Sequence, residues 1–313
     1  MADQPRIVGT VCAVRERLAS VFLPLDEICF FIDWGTSMKV VLFCGGLGMR
    51  LRDYSETIPK PMVPIGYRPI LWHVMKYYAH FGHKDFILCL GHGADSIKRY
   101  FLDYDECVSN DFVFSGRGKR VELFNSDIDD WRITFADTGI NANIGQRLKA
   151  VQDYLQDDEE FLANYSDGLT DLHLPAQINH FREQGKIASF VCVRPNLSYH
   201  MVSLDPMGDN VVSGISPINN GSVRINGGYF VFSRQIFDYM ESGEELVIEP
   251  FQRLVAERQL IGYRYDGFWA GMDTFKDRQE LEGMWRSGSS PWAVWKTNGD
   301  RSAGKIHADV LHI

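Results

Sequence analysis

The residues whose types and spacing could do chemistry begin at Gly45-Gly46-Leu47-Gly48-Met49-Arg50 and continue at Pro59-Lys60-Pro61-Met62. Three closely spaced glycines follow the apolar run 39–43. A loop of this kind lets backbone N–H groups approach a polyphosphate closely. Arg50 and Lys60 add positive charge beside it, and Lys60 sits between two prolines, in a stretch stiff enough to aim its ammonium. The pattern reads as a cradle for a nucleoside triphosphate. A P-loop is excluded, because no Gly-Lys-Ser/Thr is present. The dinucleotide fingerprint fails on spacing, and hydride transfer on a dinucleotide fold goes with it. Glycines alone would fit an ordinary strand-to-helix turn; Arg50 and the Pro-Lys-Pro stretch argue against that reading.

The 313-residue chain is 45% hydrophobic and 23% charged, with a formal net charge of −9. It can bury a real core, as one large or two small domains. The negative balance argues against nucleic-acid binding, which needs a basic face. It leaves room for nucleotides, which need only a local cationic pocket. No stretch approaches the roughly 18–20 apolar residues of a membrane helix, so no membrane partner is expected. Six scattered cysteines without a C-x-x-C spacing point to neither a disulfide framework nor a zinc site. A cytoplasmic location fits.

The elements that must position the loop alternate between strand and helix patterns. Residues 39–44, 85–90, 161–165 and 187–193 read as buried strands. Residues 70–81 repeat apolar side chains at helical spacing, with Gly82 as a C-cap. Ile97, Tyr100 and Phe101 mark a second helix; Leu148, Val151 and Leu155 mark a third. The alternation predicts an α/β fold, a Rossmann-like, mainly parallel mixed sheet flanked by helices. In such sheets ligands bind beyond the carboxyl ends of strands, where the glycine loop and Asp167 both fall. From about 198 the strands are shorter (201–204, 211–215, 223–232), which predicts a smaller α+β region at about 198–275. Residues 1–37 read as an extension without assigned role, 38–296 as one catalytic domain, and 297–313 as a tail.

Gly-Gly-x-Gly-x-Arg-Leu followed by Pro-Lys-Pro-Met resembles the sugar-1-phosphate nucleotidylyltransferases, and within them the glucose-1-phosphate cytidylyltransferase branch. The likeness runs from about 38 to 295. It includes the stretches 69–75, Asp137-Thr138-Gly139, Tyr165-Ser166-Asp167-Gly168, Ile225-Asn226-Gly227-Gly228, Glu249-Pro250, Met272-Asp273-Thr274 and Pro291-Trp292. The resemblance implies that an NTP, CTP first, reacts with a sugar 1-phosphate, glucose 1-phosphate first, to give an NDP-sugar and pyrophosphate. The nucleophile is already an anion, so positioning and charge neutralisation replace a general base.

Carried over residue by residue, the resemblance makes Arg50 and Lys60 the catalytic cations on the triphosphate. Gly45, Gly46, Gly48 and Met49 would line the nucleotide, with Thr138 and Arg147 near its base. Asp167 and Asp273 would hold Mg²⁺, which accepts one or two carboxylates and fills its octahedron with phosphate oxygens and waters. Read alone, Asp167 also fits a turn and Asp273 a helix cap. Arg147 fits an exposed helix position equally well. Asn226, Gly227, Glu249 and Trp269 would contact the sugar. Paired strand glycines otherwise mark a bulge, Glu249 fits a helix-start acid as well, and Trp269 fits plain core packing. The branch also implies a homo-oligomer.

Three positions depart from the family pattern. Met49 stands where Thr is usual. Ile215-Ser216-Pro217 replaces Glu-Lys-Pro, so Ser216 takes the place of a lysine that would neutralise the sugar phosphate; a hydroxyl offers a hydrogen bond but no charge. His200-Met201-Val202 replaces Arg-Phe-Gly. Two readings follow. In one the chain is an active nucleotidylyltransferase with a different sugar phosphate, in which Arg194, His200 or Arg224 replaces the lost charge. In the other it is a nucleotide- or sugar-nucleotide-binding relative with little catalysis.

Overall fold

The computed structural model describes residues 37–46, 58–118, 120–195, 199–218 and 223–296. Gly48, Met49 and Arg50, the extension before residue 37 and the tail 297–313 lie outside the described residues.

The first strand, β1 (Val40–Phe43), is buried on both faces. Val40 and Leu42 enter one apolar cluster, Val41 and Phe43 another. This is the period-two alternation of a strand between two helical layers. In chain order there follow β2 (Pro64–Ile65), β3 (Arg68–Pro69), β4 (Asp85–Leu90), β5 (Phe112–Ser115), β6 (Arg120–Leu123), β7 (Arg132–Asp137) and β8 (Glu160–Asn164). The second half adds β9 (Gly168–Thr170), β10 (Ala188–Val193), β11 (His200–Leu204), β12 (Val212–Pro217), β13 (Ile225–Asn226), β14 (Phe230–Ser233), β15 (Leu260–Arg264) and β16 (Trp269–Gly271). Among the described residues eight strands form the central sheet. β8, β1, β4 and β7 run parallel. β14 joins β8 antiparallel, β10 runs antiparallel to β13 and β14, and β15 pairs with β10 in parallel. This is the mainly parallel mixed sheet that the alternation predicts.

Helices Ile70–His80 and Leu174–Gln184 cover one face; Ile144–Ala150 and Glu249–Ala256 cover the other. No helix among the described residues is long and apolar enough to cross a membrane. Two expectations need correction. The third helix is two pieces, an α-helix over Ile144–Ala150 and a 3-10 turn over Gln152–Leu155. Leu148, Val151 and Leu155 are all buried, so the apolar face survives while the pitch tightens. Residues 223–232 are not one strand. Asn226 pairs with Cys192, but Val231 pairs with Ser189, and Gly227-Gly228-Tyr229 absorbs the shift as a bulge. Of the region 198–275, β11–β12 form a separate hairpin, whereas β13, β14 and β15 complete the central sheet.

Candidate active site

The carboxyl ends of β1 and β8 are tied where Ser166 Oγ donates to Phe43 O at 2.8 Å. Ser166 has φ +47, a left-handed conformation unusual for a residue with a Cβ. Such strain tends to sit at functional sites. Here it accompanies the sharp turn between β8 and β9 that presents Asp167. Across that turn Met272 N donates to Asp167 O at 3.0 Å, and Gly168 pairs with Gly271. This backbone link brings Asp167 beside Asp273.

Lys60 opens a short 3-10 turn between Pro59 and Pro61. Its Nζ donates to Asp167 Oδ2 at 2.6 Å and to Asp273 Oδ1 at 2.7 Å. Asp273 is not the helix cap. Thr274 caps the helix Phe275–Arg286 in a capping box with Asp277, which leaves the Asp273 carboxylate turned to Lys60. Burial pushes the Lys60 pKa down, but the two acids outweigh it and hold it above its ordinary value. Burial pushes the Asp167 carboxyl up, against the pull of Lys60.

One ammonium reaches both carboxylates, so their oxygens lie within reach of a single small cation. Two carboxylates and no soft ligand fit Mg²⁺, which keeps the rest of its shell for phosphate oxygens and water. Among the described residues no group of three or more His, Cys, Asp or Glu forms a fuller cage.

On the nucleotide side, Arg147 is neither exposed nor turned to solvent: it is 2% accessible. Its Nη1 donates to Leu90 O (3.0 Å), Thr138 Oγ1 (2.7 Å) and Gly139 O (3.0 Å), and its Nη2 to Gly45 O (3.0 Å) and Ile140 O (3.3 Å). Burial pulls its pKa below the ordinary value. A Cβ on Gly45 would lie 2.1 Å from Arg147 Nη1, and one on Gly91 2.7 Å from the same atom. Glycine is required at both positions because the guanidinium packs under the loop backbone. Arg147 therefore braces Gly45 and the ends of β4 and β7 from below, with Thr138 as part of that brace. Gln146 completes a capping box with Asn143 at the start of Ile144–Ala150. Gly46 is exposed at the end of the described loop.

On the sugar side, Asn226 Nδ2 donates to Tyr165 OH at 3.2 Å and its Oδ1 accepts from Gly228 N at 2.9 Å. Trp269 Nε1 donates to Gly227 O at 2.8 Å. A Cβ on Gly227 would press at 3.1 Å on both Trp269 and Val193. Trp269 is half-buried. Glu249 is exposed, begins the helix Glu249–Ala256, and accepts Glu245 N–H at 3.0 Å. This is the helix-start alternative, with Pro250 one position further in. Ser216 lies on β12 opposite Met201, outside the central sheet. Asp171 accepts Phe268 N–H at 2.9 Å and the Tyr265 hydroxyl, as a turn residue does.

The motif reading gave no role to Tyr165 and Ser166, which bond to Asn226 and to the Phe43 carbonyl, and did not name Asp277, which accepts from Thr274 N–H. Asp277 was open to view, since Thr-x-x-Asp is a capping-box spacing. The left-handed Ser166 leaves no such signal.

Comparison with known proteins bears on the family and the fold. The nucleotidyl transferase family model matches residues 39–278. The glucose-1-phosphate cytidylyltransferase of Salmonella typhi is 38% identical over 260 residues, which is 83% of this chain and 100% of that protein. The Salmonella typhimurium protein of the same name matches over the same extent at 38%. Among solved structures, UTP-bound UGPase from Acinetobacter baumannii superposes with a TM-score of 0.58 at 16% identity, over 88% of this chain and 100% of that one; it speaks for the fold alone. The converging loops, the matched family model and the relatives that align over their whole length lead to one conclusion: this chain belongs to the nucleotidyl transferase family, among the sugar-1-phosphate nucleotidylyltransferases.

Proposed function

We propose that the chain transfers a nucleotidyl group from an NTP, CTP first among them, to a sugar 1-phosphate, glucose 1-phosphate first. The observation that carries this reading is the Lys60 ammonium shared by Asp167 and Asp273, beside a glycine loop braced by Arg147. A phosphate oxygen of the sugar forms the new bond to the α-phosphorus, and the bond from that phosphorus to the pyrophosphate oxygen breaks. Lys60, and Arg50 by its place in the motif, stabilise the charge on the leaving pyrophosphate. The N–H groups of Gly45, Gly46 and Gly48, with Met49 in the same loop, receive the phosphates. Thr138 and Arg147 set the base side of the loop. Asn226, Gly227, Glu249 and Trp269 line the acceptor. Asp167 and Asp273 would hold Mg²⁺, which supplies charge neutralisation on the phosphate oxygens.

The testing experiment is pyrophosphate release across common NTPs and sugar 1-phosphates with Mg²⁺. Turnover with CTP and one sugar is expected. CTP binding without turnover for any pair would favour the second reading, a binding relative weakened by Ser216.

Residues 38–296 are proposed to carry the whole activity, in the cytoplasm, where thiols such as buried Cys44 and Cys89 stay reduced. A homo-oligomer is proposed from the exposed apolar residues of the β5–β6 and β11–β12 hairpins, among them Phe114 and Ile215. Light scattering at a single-chain mass would reject it.

A further inference from the structure

Ser216 stands where the family pattern carries a lysine, and one end of the central sheet is rich in guanidinium groups. Arg194 follows β10, Arg224 precedes β13, and Arg264 ends β15. These strands are neighbours, with Val193 opposite Ile225 and Cys192 opposite Arg264. The three side chains converge on one acid. Arg194 Nε lies 2.9 Å and Arg224 Nη2 2.7 Å from Asp266 Oδ1, and Arg264 Nε lies 3.7 Å from Asp266 Oδ2. Three cations on one carboxylate leave an excess of positive charge in a chain whose net charge is −9.

The cluster is built rather than incidental. Arg224 is mostly buried, and its Nη1 is pinned by the carbonyls of Cys192 at 3.1 Å and Tyr265 at 2.9 Å. Arg194 and Arg264 are more exposed and open the cluster to solvent. Arg224 stands two residues before Asn226, a strand step of about 7 Å. Asp266 leads within three residues to Trp269, which donates to Gly227 O. The cluster therefore adjoins the residues proposed to line the acceptor. Guanidinium groups present forked donors that suit phosphate and carboxylate oxygens. Solvated ion pairs such as those to Asp266 are weak enough for an incoming dianion to compete with them.

We propose that Arg194, Arg224 and Arg264, gathered on Asp266, form an oxyanion site for the acceptor sugar phosphate, supplying the charge that Ser216 lacks. The proposal rests on the transfer reading above. Its test is kinetic and direct together. Arg194→Gln, Arg264→Gln and the double variant are assayed for acceptor KM and NTP KM. Binding of glucose 1-phosphate and of inorganic phosphate to each is measured by calorimetry. The expected result is a tenfold or larger rise in acceptor KM and Kd, an NTP KM within twofold, and recovery in Arg264→Lys. Glucose 1,6-bisphosphate and glucuronic acid 1-phosphate tell whether the bound group is the 1-phosphate or a second anion on the sugar. Turnover with unchanged acceptor KM and Kd in the double variant overturns the site and leaves the transfer reading standing. Arginine-dependent acceptor binding without turnover supports the site and sinks the transfer reading.

Discussion

Lys60 has two partners that a metal would also claim. Substituting Lys60→Met removes an ammonium from the leaving-group side, and kcat should fall on the order of 10²–10³-fold. The same change leaves Asp167 and Asp273 without their cation, so the rise in melting temperature caused by Mg²⁺ should grow. Melting curves with and without Mg²⁺ read this apart from turnover, and a smaller Mg²⁺ effect in the variant would separate the lysine from the metal position. Arg147 is a second residue whose role is set by what surrounds it. Arg147→Met removes the charged donor from the buried carbonyls of Gly45 and Leu90, which keep only the N–H groups of His92 and Thr138 and the Thr138 hydroxyl. A hydrogen bond from a charged donor contributes about 1.5–3 kcal/mol. A loss of about 3 kcal/mol in unfolding free energy is expected from urea titration; an unchanged midpoint would mean that the brace is dispensable.

At the scale of elements, two histidines tie the Ile70–His80 segment to its neighbours. His73 donates from Nε2 to Ile65 O at 3.0 Å and accepts the Trp292 indole N–H on Nδ1 at 3.3 Å. His83 Nδ1 accepts Met38 N–H at 3.0 Å and so ties the start of β1 to the turn after this helix. Both use the neutral ring. Burial lowers each pKa from 6.5 to about 4. The unfolded chain therefore binds more protons than the native one between those values. Stability is complete above pH 6.5 and declines as pH falls toward 4. Urea midpoints should drop across that window, and the drop should be shallower in His83→Asn. A flat profile from pH 6.5 to 4 would show that neither histidine stays neutral in the fold.

For the whole molecule, the candidate site joins segments after β1, β8 and β16, which lie far apart in sequence. Ligand bound there stabilises the sheet as a unit rather than one loop. CTP with Mg²⁺ at a hundred times its dissociation constant adds about 2.7 kcal/mol, or roughly 5–10 °C in melting temperature for a domain of this size. Calorimetry should show one shifted transition, and removal of Mg²⁺ with EDTA should cancel most of the shift. Two transitions, only one of them moving with CTP, would mean that the sugar-side strands unfold independently of the nucleotide side.

Much of this protein is written locally in its sequence. The glycine loop follows β1 because a short apolar run and three glycines are adjacent in the chain, and β4 and β8 end where their apolar runs end. The flanks of Asp167 and Asp273 mark both acids as members of a family motif. Other features depend on contacts between distant segments. Lys60 meets acids 107 and 213 positions away, and no local pattern states that one ammonium reaches both. A lone arginine on a short helix reads the same whether it is solvated or buried, and only the packing of Gly45 and Gly91 against Arg147 resolves it. The gathering of Arg194, Arg224 and Arg264 on Asp266 likewise arises from strand order. Side-chain type and spacing along the chain set which groups are present and which strand ends present them. Sheet register and burial set which of those groups share a site, because they act between residues that the chain itself does not connect.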